Sequence, residues 1–416
     1  MKKYLSKLNL NHYAWAICLG CAIVFYATCG MVCNVFPVYS PFIREQWNFT
    51  NSQVSMIGTV RSLFQMFAIY LAGKFYKNVK VRKGMLMAGL VCASGHFVYA
   101  LSVSFPMYLV GSALAGFGYG LTSMVAVSIL ISRWFVKNRT LAVSLVSAAS
   151  GLSTIGIPSL ITSLIKSKGL PTAFLMEGIL MAVLVIAAFL ILRESPEEMG
   201  LTAYGAEEAP VPEASAEAET KARKKEPHLK GMNVLLIYAL IILGCSYNYG
   251  CYNAISMLST TEGYDPSLAA VAISAAGVML TVGKLVFGTL STKLSLFKTS
   301  VFFMILCMLS TLALCFVRLS PMLLLCGAGL LGFSITVLSV GPVTWTEDWF
   351  PTEERLEMIR RTQVVYSIGG LVNTMLPGVT ADLFGGSYIP FYVFSTVCAV
   401  VTIAILVYTY KSVKWY

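Results

Sequence analysis

Apolar residues run along this chain in long stretches bounded by charge, Pro or Gly, without the strict alternation of a half-buried strand. They fall at 13–39, 52–73, 84–104, 106–132, 140–165 and 172–193. After a polar interval they resume at 232–258, 267–289, 299–319, 321–346, 361–381 and 389–411. A helix needs roughly 20 apolar residues to cross a hydrocarbon core about 30 Å thick. Lipid offers no hydrogen bonds, so each stretch must satisfy its own backbone. The pattern predicts an all-α membrane protein of twelve transmembrane helices. Lys2, Lys3 and Lys7 before the first stretch imitate a signal peptide. That stretch is too long for a signal h-region and lacks a small-residue cleavage site, which predicts a first permanent helix.

The polar interval, 194–231, runs from acidic (Glu207, Glu208, Glu213, Glu217, Glu219) to basic (Lys221, Arg223, Lys224, Lys225). Rich in Ala, Pro and Glu, it cannot bury a core and reads as a linker, its basic end a possible lipid-headgroup contact. The segments it joins, 1–193 and 232–416, resemble each other. Gly73 opens a G-x9-K run ending at Lys83, and Gly288 opens one ending at Lys298. Gly111, Leu114, Gly116 and Phe117 have counterparts in Gly327, Leu330, Gly332 and Phe333. Arg133-Trp134-Phe135 is echoed by Asp348-Trp349-Phe350. Each copy holds the same place in its segment, so the repeat is parallel: two six-helix halves around a central path.

Composition agrees with a lipid solvent: 57% of residues are hydrophobic and only 12% charged, against about 25% charged in soluble domains. The net charge of +11 is spread in short clusters between apolar stretches, which reads as membrane orientation and not as a nucleic-acid surface. Lys74, Lys77, Lys80, Arg82, Lys83, Arg133, Lys137, Arg139, Arg355, Arg360 and Arg361 fall on the side of the chain ends. The opposite side holds Arg44, Lys166, Lys168 and Arg318. This bias predicts cytoplasmic termini and a multi-pass protein of the plasma (inner) membrane, surrounded by lipid and acting as a monomer. The eleven cysteines lie in apolar stretches without zinc spacing, which implies packing residues, no metal and no disulfide framework. Gly116, Gly118 and Gly120 lack the preceding strand of a dinucleotide site and read as helix-packing residues, as do Gly151, Gly156 and a helix-bending Pro158. No Walker motif, nucleophile–base set or cofactor fingerprint is present, so neither ATP nor an enzymatic role is expected.

With the paired G-x9-K loops the chain resembles the major facilitator superfamily, whose signature joins helices 2 and 3, and 8 and 9. Within it, Arg133-Trp134-Phe135 with Lys137 and Arg139 is similar to the helix 4–5 loop of the oxalate/formate antiporter and monocarboxylate porter group. The run from Arg193 to Leu201 (RESPEEMGL) resembles that group's exit from helix 6. Lys284 falls where those porters place a helix 8 arginine that binds the substrate carboxylate. The resemblance implies a secondary carrier of organic anions. The oxalate porters' helix 11 lysine finds no counterpart in 361–381 beyond Arg361, which turns the expectation from a dianion toward a monocarboxylate.

Four ionisable side chains lie within the apolar stretches, where each requires a cavity or a partner. Arg61, mid-helix 2 and permanently charged, needs an anion or neighbouring carbonyls. Lys284 lies near enough to the end of its stretch to snorkel; by the resemblance it is a substrate ligand. His96 and Glu177 are proton-coupling candidates, with a bonded core histidine and an interfacial acid as the plain alternatives. Tyr26, Asn34 and Tyr39 in helix 1, and Asn248, Tyr249 and Tyr252 in helix 7, could line the path or join the interfacial aromatic belt. The leading expectation is a small organic anion bound between Lys284 and Arg61, coupled to protons or to anion exchange. The rivals are a carrier of apolar or cationic compounds recognised by Glu177, and a non-transporting membrane receptor.

Overall fold

The computed structural model describes residues 12–206, 227–228 and 232–415, apart from the side chains of 140, 227, 228, 232, 245–248, 339, 343, 347, 352, 356, 414 and 415. Twelve helices among them are long and apolar enough to span a bilayer: α1 Ala14–Trp47, α2 Asn51–Asn78, α3 Val81–Leu101, α4 Phe105–Trp134, α5 Leu141–Lys168, α6 Leu170–Ile191, α7 Asn233–Thr261, α8 Pro266–Leu294, α9 Leu296–Cys315, α10 Pro321–Pro342, α11 Glu353–Leu383 and α12 Ile389–Ser412. Because they alternate in direction, α1 begins and α12 ends at one face of the bundle, the face that also carries the 194–231 connection. We call it the linker face and its opposite the far face.

The repeat seen in sequence is a repeat of packing. In the first half α2 lies on α4 and α3 on α6; in the second α8 lies on α10 and α9 on α12. A Cβ on Gly116 would stand 2.1 Å from the Arg61 carbonyl oxygen, and one on Gly332 would stand 1.9 Å from that of Ala276. Only glycine permits backbones this close, and the two sites occupy equivalent places in the halves. The halves meet along α2 with α11 and α5 with α8.

Several spans depart from ideal helix. The middle of α1, Tyr26–Val35, is wound as a π-helix, followed by a 3-10 turn over Phe36–Tyr39 with Pro37 in it. In α5 the helix stops at Leu152 and restarts at Ile157, with Gly156 at φ 81°. The expected bend is therefore a left-handed glycine break, and Pro158 opens the new helix where its missing N–H is harmless. The second correction concerns α8. It continues to Leu294, so Lys284 sits ten positions from its end, about 15 Å along the axis and deeper than a snorkelling position.

Two of the three stretches behind the subgroup resemblance, those around Arg133 and Glu194, meet the first G-x9-K loop at the linker face of the first half. Glu194 accepts hydrogen bonds from the Val81 and Arg82 backbone N–H groups at the start of α3, both 2.9 Å, and pairs with Arg133. Arg82 donates to the Phe189 carbonyl at 3.1 and 3.2 Å and lies over the Phe189 ring. Tyr204 bridges to Phe135 through backbone bonds. A carboxylate on the free N–H groups of a helix start is favoured by both hydrogen bonding and the helix dipole. At its echo in the second half Tyr410 donates to Asp348 at 2.9 Å.

Candidate functional site

Between the halves, at mid-depth, lies a cavity of about 160 Å³. Its walls come from α1 (Cys29, Cys33, Asn34), α2 (Arg61, Ser62, Gln65), α5 (Ser150), α7 (Tyr249, Tyr252, Asn253), α8 (Leu280, Lys284), the α10 break (Ile335) and α11 (Tyr366). Two cations and no carboxylate are among these lining residues. A wider space of about 390 Å³ continues toward the linker face, sharing Ser62, Gln65, Tyr249 and Tyr366 and adding Gln363 and Ser367.

Arg61 is the eleventh residue of α2 and is 4% exposed. Its Nη1 donates to the Val32 carbonyl at 2.7 Å, and its Cζ lies 5.3 Å from the Phe36 ring centroid. Val32 belongs to the π-wound turn, where i→i+5 pairing displaces the carbonyls from the ordinary ladder. Its Nε has no partner. Arg61 thus has a carbonyl on one edge and the cavity on the other. Lys284 Nζ donates across the seam to the Ser147 carbonyl and hydroxyl oxygens, each at 3.3 Å.

Asn34 and Tyr252 join the halves beside these cations. Asn34 Nδ2 donates to the Ser150 carbonyl at 2.7 Å, and Tyr252 OH donates to the Asn34 carbonyl at 3.0 Å. Tyr249 receives the Tyr366 hydroxyl at 3.1 Å. Asn248 lies outside the described side chains. Tyr26 is not among the residues lining the cavity: it packs within the first half against the apolar cluster that includes Cys92 and Met181. Seven residues make nearly two α-turns, which would align Tyr26 with Cys33, but they fall short of two turns when π-wound. Tyr39, expected in the path or the belt, is in neither. It is fully buried, stacks on Phe174 at 4.0 Å and donates to Glu177 Oε2 at 2.6 Å. Glu177 also approaches His96, with Nε2 3.7 Å from the same oxygen, so the two separate candidates form one cluster away from the cavity.

At the far face the seam is closed. Asp382, at the end of α11, accepts from Asn51 N at 3.0 Å, Asn51 Nδ2 at 2.8 Å, and the Ser52 N and Oγ at 2.8 and 2.5 Å. Tyr388 adds a bond to Asn51 Oδ1 at 3.2 Å. On the other side of the seam Lys166 donates to both Asp265 oxygens, at 2.7 and 2.9 Å, and to Ser267. Asp265 caps α8 through Ser267 N, and Lys166 with this cap holds its carboxyl down, at about 2. Of these far-face residues only Lys166 stood out in the sequence, as a cation on the side opposite the chain ends. An acid directly before Pro266, and one at the end of an otherwise apolar helix, were the available signals.

The first half's Arg82–Glu194 network and the glycine-packed repeat make a specific pattern, and the model of the Major Facilitator Superfamily matches residues 18–342. The chain belongs to the major facilitator superfamily. As a member it is a transporter of the alternating-access kind. It is 20% identical over 320 residues to the uncharacterized MFS-type transporter YhjX of Escherichia coli (strain K12), covering 75% of this chain and 74% of that one. It is 28% identical over 156 residues to the oxalate:formate antiporter of Oxalobacter formigenes, covering 38% of this chain and 37% of that protein. Among solved structures, the nucleoside transporter NupG superposes with a TM-score of 0.72 at 10% identity, over 97% of this chain and 100% of that one. A bacterial homolog of the human lysosomal transporter Spinster, inward-facing and unoccupied, gives 0.68 at 13% identity, over 96% of each chain. At such identities the superfamily likeness in structure is one of fold.

Proposed function

We propose that this protein moves a small organic anion, a monocarboxylate, across the plasma membrane, with the linker face and both termini in the cytoplasm. The observation that carries the reading is the joint presence of Arg61 and Lys284 in one 160 Å³ cavity with no acid among its lining residues. Attraction between unit charges at 4 Å rises from about 1 kcal/mol in water to about 4 kcal/mol at an effective dielectric near 20. Such a cavity favours an anion and disfavours a cation. A water's share of liquid volume is about 30 Å³, so the space suits a few heavy atoms. Asn34, Gln65 and Tyr249 offer donors to the remaining oxygens. The likeness of part of the chain to an oxalate:formate antiporter points the same way.

The rival carrier of cations would rely on Glu177, but that carboxyl faces Tyr39 and His96 and not the cavity. A stability screen of the purified protein against formate, acetate, lactate, pyruvate and oxalate tests the reading. A cognate carboxylate should raise the melting temperature of the wild type, and both Lys284→Gln and Arg61→Gln should remove that rise. Stabilisation that survives both replacements would sink the anion site.

A further inference from the structure

The second half carries a neutral counterpart to the Glu177–His96 pair. Thr311 stands 215 positions after His96, as Cys307 stands after Cys92 and Gly288 after Gly73. Thr396 stands 219 positions after Glu177, as Pro390 stands after Pro171 at the starts of α12 and α6. At this equivalent place Thr396 Oγ1 donates to Thr311 Oγ1 at 3.0 Å, and Thr396 also returns a bond to the Tyr392 carbonyl. A neutral pair therefore holds α9 to α12, where α3 and α6 carry an ionisable one.

The ionisable pair counts protons by its geometry. His96 Nδ1 is 3.5 Å from the Cys92 carbonyl, an acceptor that orients Nδ1 as the protonated nitrogen. Nε2 then presents a lone pair to Glu177 Oε2, 3.7 Å away. Two acceptors face each other in a dry site unless one proton resides on the carboxyl or the imidazole. Nε2 and Glu177 Oε1 have no hydrogen-bond partner, and neither side chain is more than 1% exposed. With one proton the pair is neutral, whichever residue carries it; with none it is a buried negative charge, which costs several kcal/mol uncompensated.

The cluster is continuous with the far-face closure and is separated from Arg61 by the Phe36 ring. Tyr39 belongs to the short turn Phe36–Tyr39, which packs against α7 and α8 of the other half. Phe36 and Ser40 border a narrow space of about 30 Å³ on the far side of Arg61, with Asn253, Ala254 and Met257 opposite. The groups surrounding the pair are Tyr39 from α1, Cys92 and Tyr99 from α3, Tyr108 from α4 and, behind the Phe36 ring, Arg61 from α2. Of these Arg61 is the permanent charge.

We propose that the Tyr39–Glu177–His96 cluster is a proton-binding site that couples transport to proton uptake from the far face. This rests on the anion reading of Arg61 and Lys284. When the far gate is open, one proton neutralises the pair, and the gate closes over the neutral form. An ionised Glu177 competes with the incoming carboxylate for the field of Arg61 across one aromatic layer, so protonation frees Arg61 for the anion. Once the anion leaves toward the linker face, the restored charge of Arg61 favours loss of the proton, which must leave to that same face before the far gate reopens. One proton and one monocarboxylate move together, and no net charge crosses.

The test needs no identified substrate. Spectroscopic probes are placed as non-canonical residues at Lys168 and Leu319, exposed positions at the far ends of the two halves, in the full chain in lipid nanodiscs. The distance between them is read from pH 5 to pH 9. In the wild type the closed-to-open ratio should rise as pH falls, by up to about tenfold per unit for one linked proton. Glu177→Gln, which imitates the protonated acid, should be closed at every pH. The paired change His96→Thr with Glu177→Thr, copying the second half, should also lose the response and covers a failure of the first variant to fold. A wild-type distance indifferent to pH, or a response that persists in the Thr pair, overturns the proposal. Carboxylate stabilisation that persists alongside a missing pH response defeats the proton site alone. A pH response without any carboxylate effect defeats the anion reading alone.

Discussion

The helices α2 and α11 touch at one end and part at the other. At the far face Asn51 and Ser52 are tied to Asp382, and a Cβ on Gly378 would stand 2.2 Å from the Asn51 carbonyl. Some fifteen residues along, Gln65 of α2 and Gln363 of α11 face a space of about 390 Å³. The contrast shows what kind of bond closes such a seam. The far face is held by hydrogen bonds that water could replace and by glycine contacts that form only when the backbones meet. Apolar residues of both halves share one core cluster there as well, Phe36 and Tyr39 with Ala254 and Met257, so opening must also separate these.

The largest break in this comparison should come from Gly378→Leu. Its side chain must enter the space of the Asn51 carbonyl, and overpacking of this sort costs up to about 3 kcal/mol. The probe distance between Lys168 and Leu319 should lengthen in nearly all molecules, and the linker-side space should narrow; an unchanged distance would show that the α2–α11 contact does not set the gate. Asp382→Ala comes next. It removes the acceptor for the first N–H groups of α2, and for a carboxylate this exposed about 1 kcal/mol is a reasonable loss, discounted for solvent. The open fraction should rise severalfold, and Asp382→Asn should restore part of the closure. Asp265→Asn should give the smallest shift, because its pairing with Lys166 is exposed and screened by salt.

The Asp265 replacement also sharpens the comparison through pH. Its carboxyl is held below the usual value, so the closure it contributes is fully present above about pH 4 and is lost only as pH falls through about 2. Between pH 5 and pH 9 the Asp265 carboxyl stays ionised. Any pH response of the gate in that window must arise elsewhere, and Asp265→Asn should leave its midpoint unmoved.

Much of the architecture was legible because lipid makes hydropathy nearly sufficient. Most starts can be seen as a change from charge, Pro or Gly to an apolar run, and α1 departs at its end, where the helix continues through Ser40–Trp47 past Arg44 and Glu45. Arg61 and Lys284 were legible as charges out of place. Their meeting in one cavity was not, since it depends on how α2 and α8 cross. The π-wound turn left no mark in residue type, and it alone moves Tyr26 out of the path. Tyr39, His96 and Glu177 lie 57 and 81 residues apart, and each admits a plain explanation when read singly. Only the packing of α1, α3 and α6 makes them one group.

Arg61 meets its carbonyl before it meets any guest. An anion arriving at the guanidinium competes with Val32, whose oxygen is held at 2.7 Å, and a full embrace would strand that oxygen in a dry place. Leaving a buried acceptor unpaired costs about 1–3 kcal/mol, equivalent to roughly a tenfold to hundredfold loss of affinity. A π-turn in the first helix thus tempers the grip of an arginine on the second. Carriers that must let go of their load quickly gain more from such loosened binding than from tight capture.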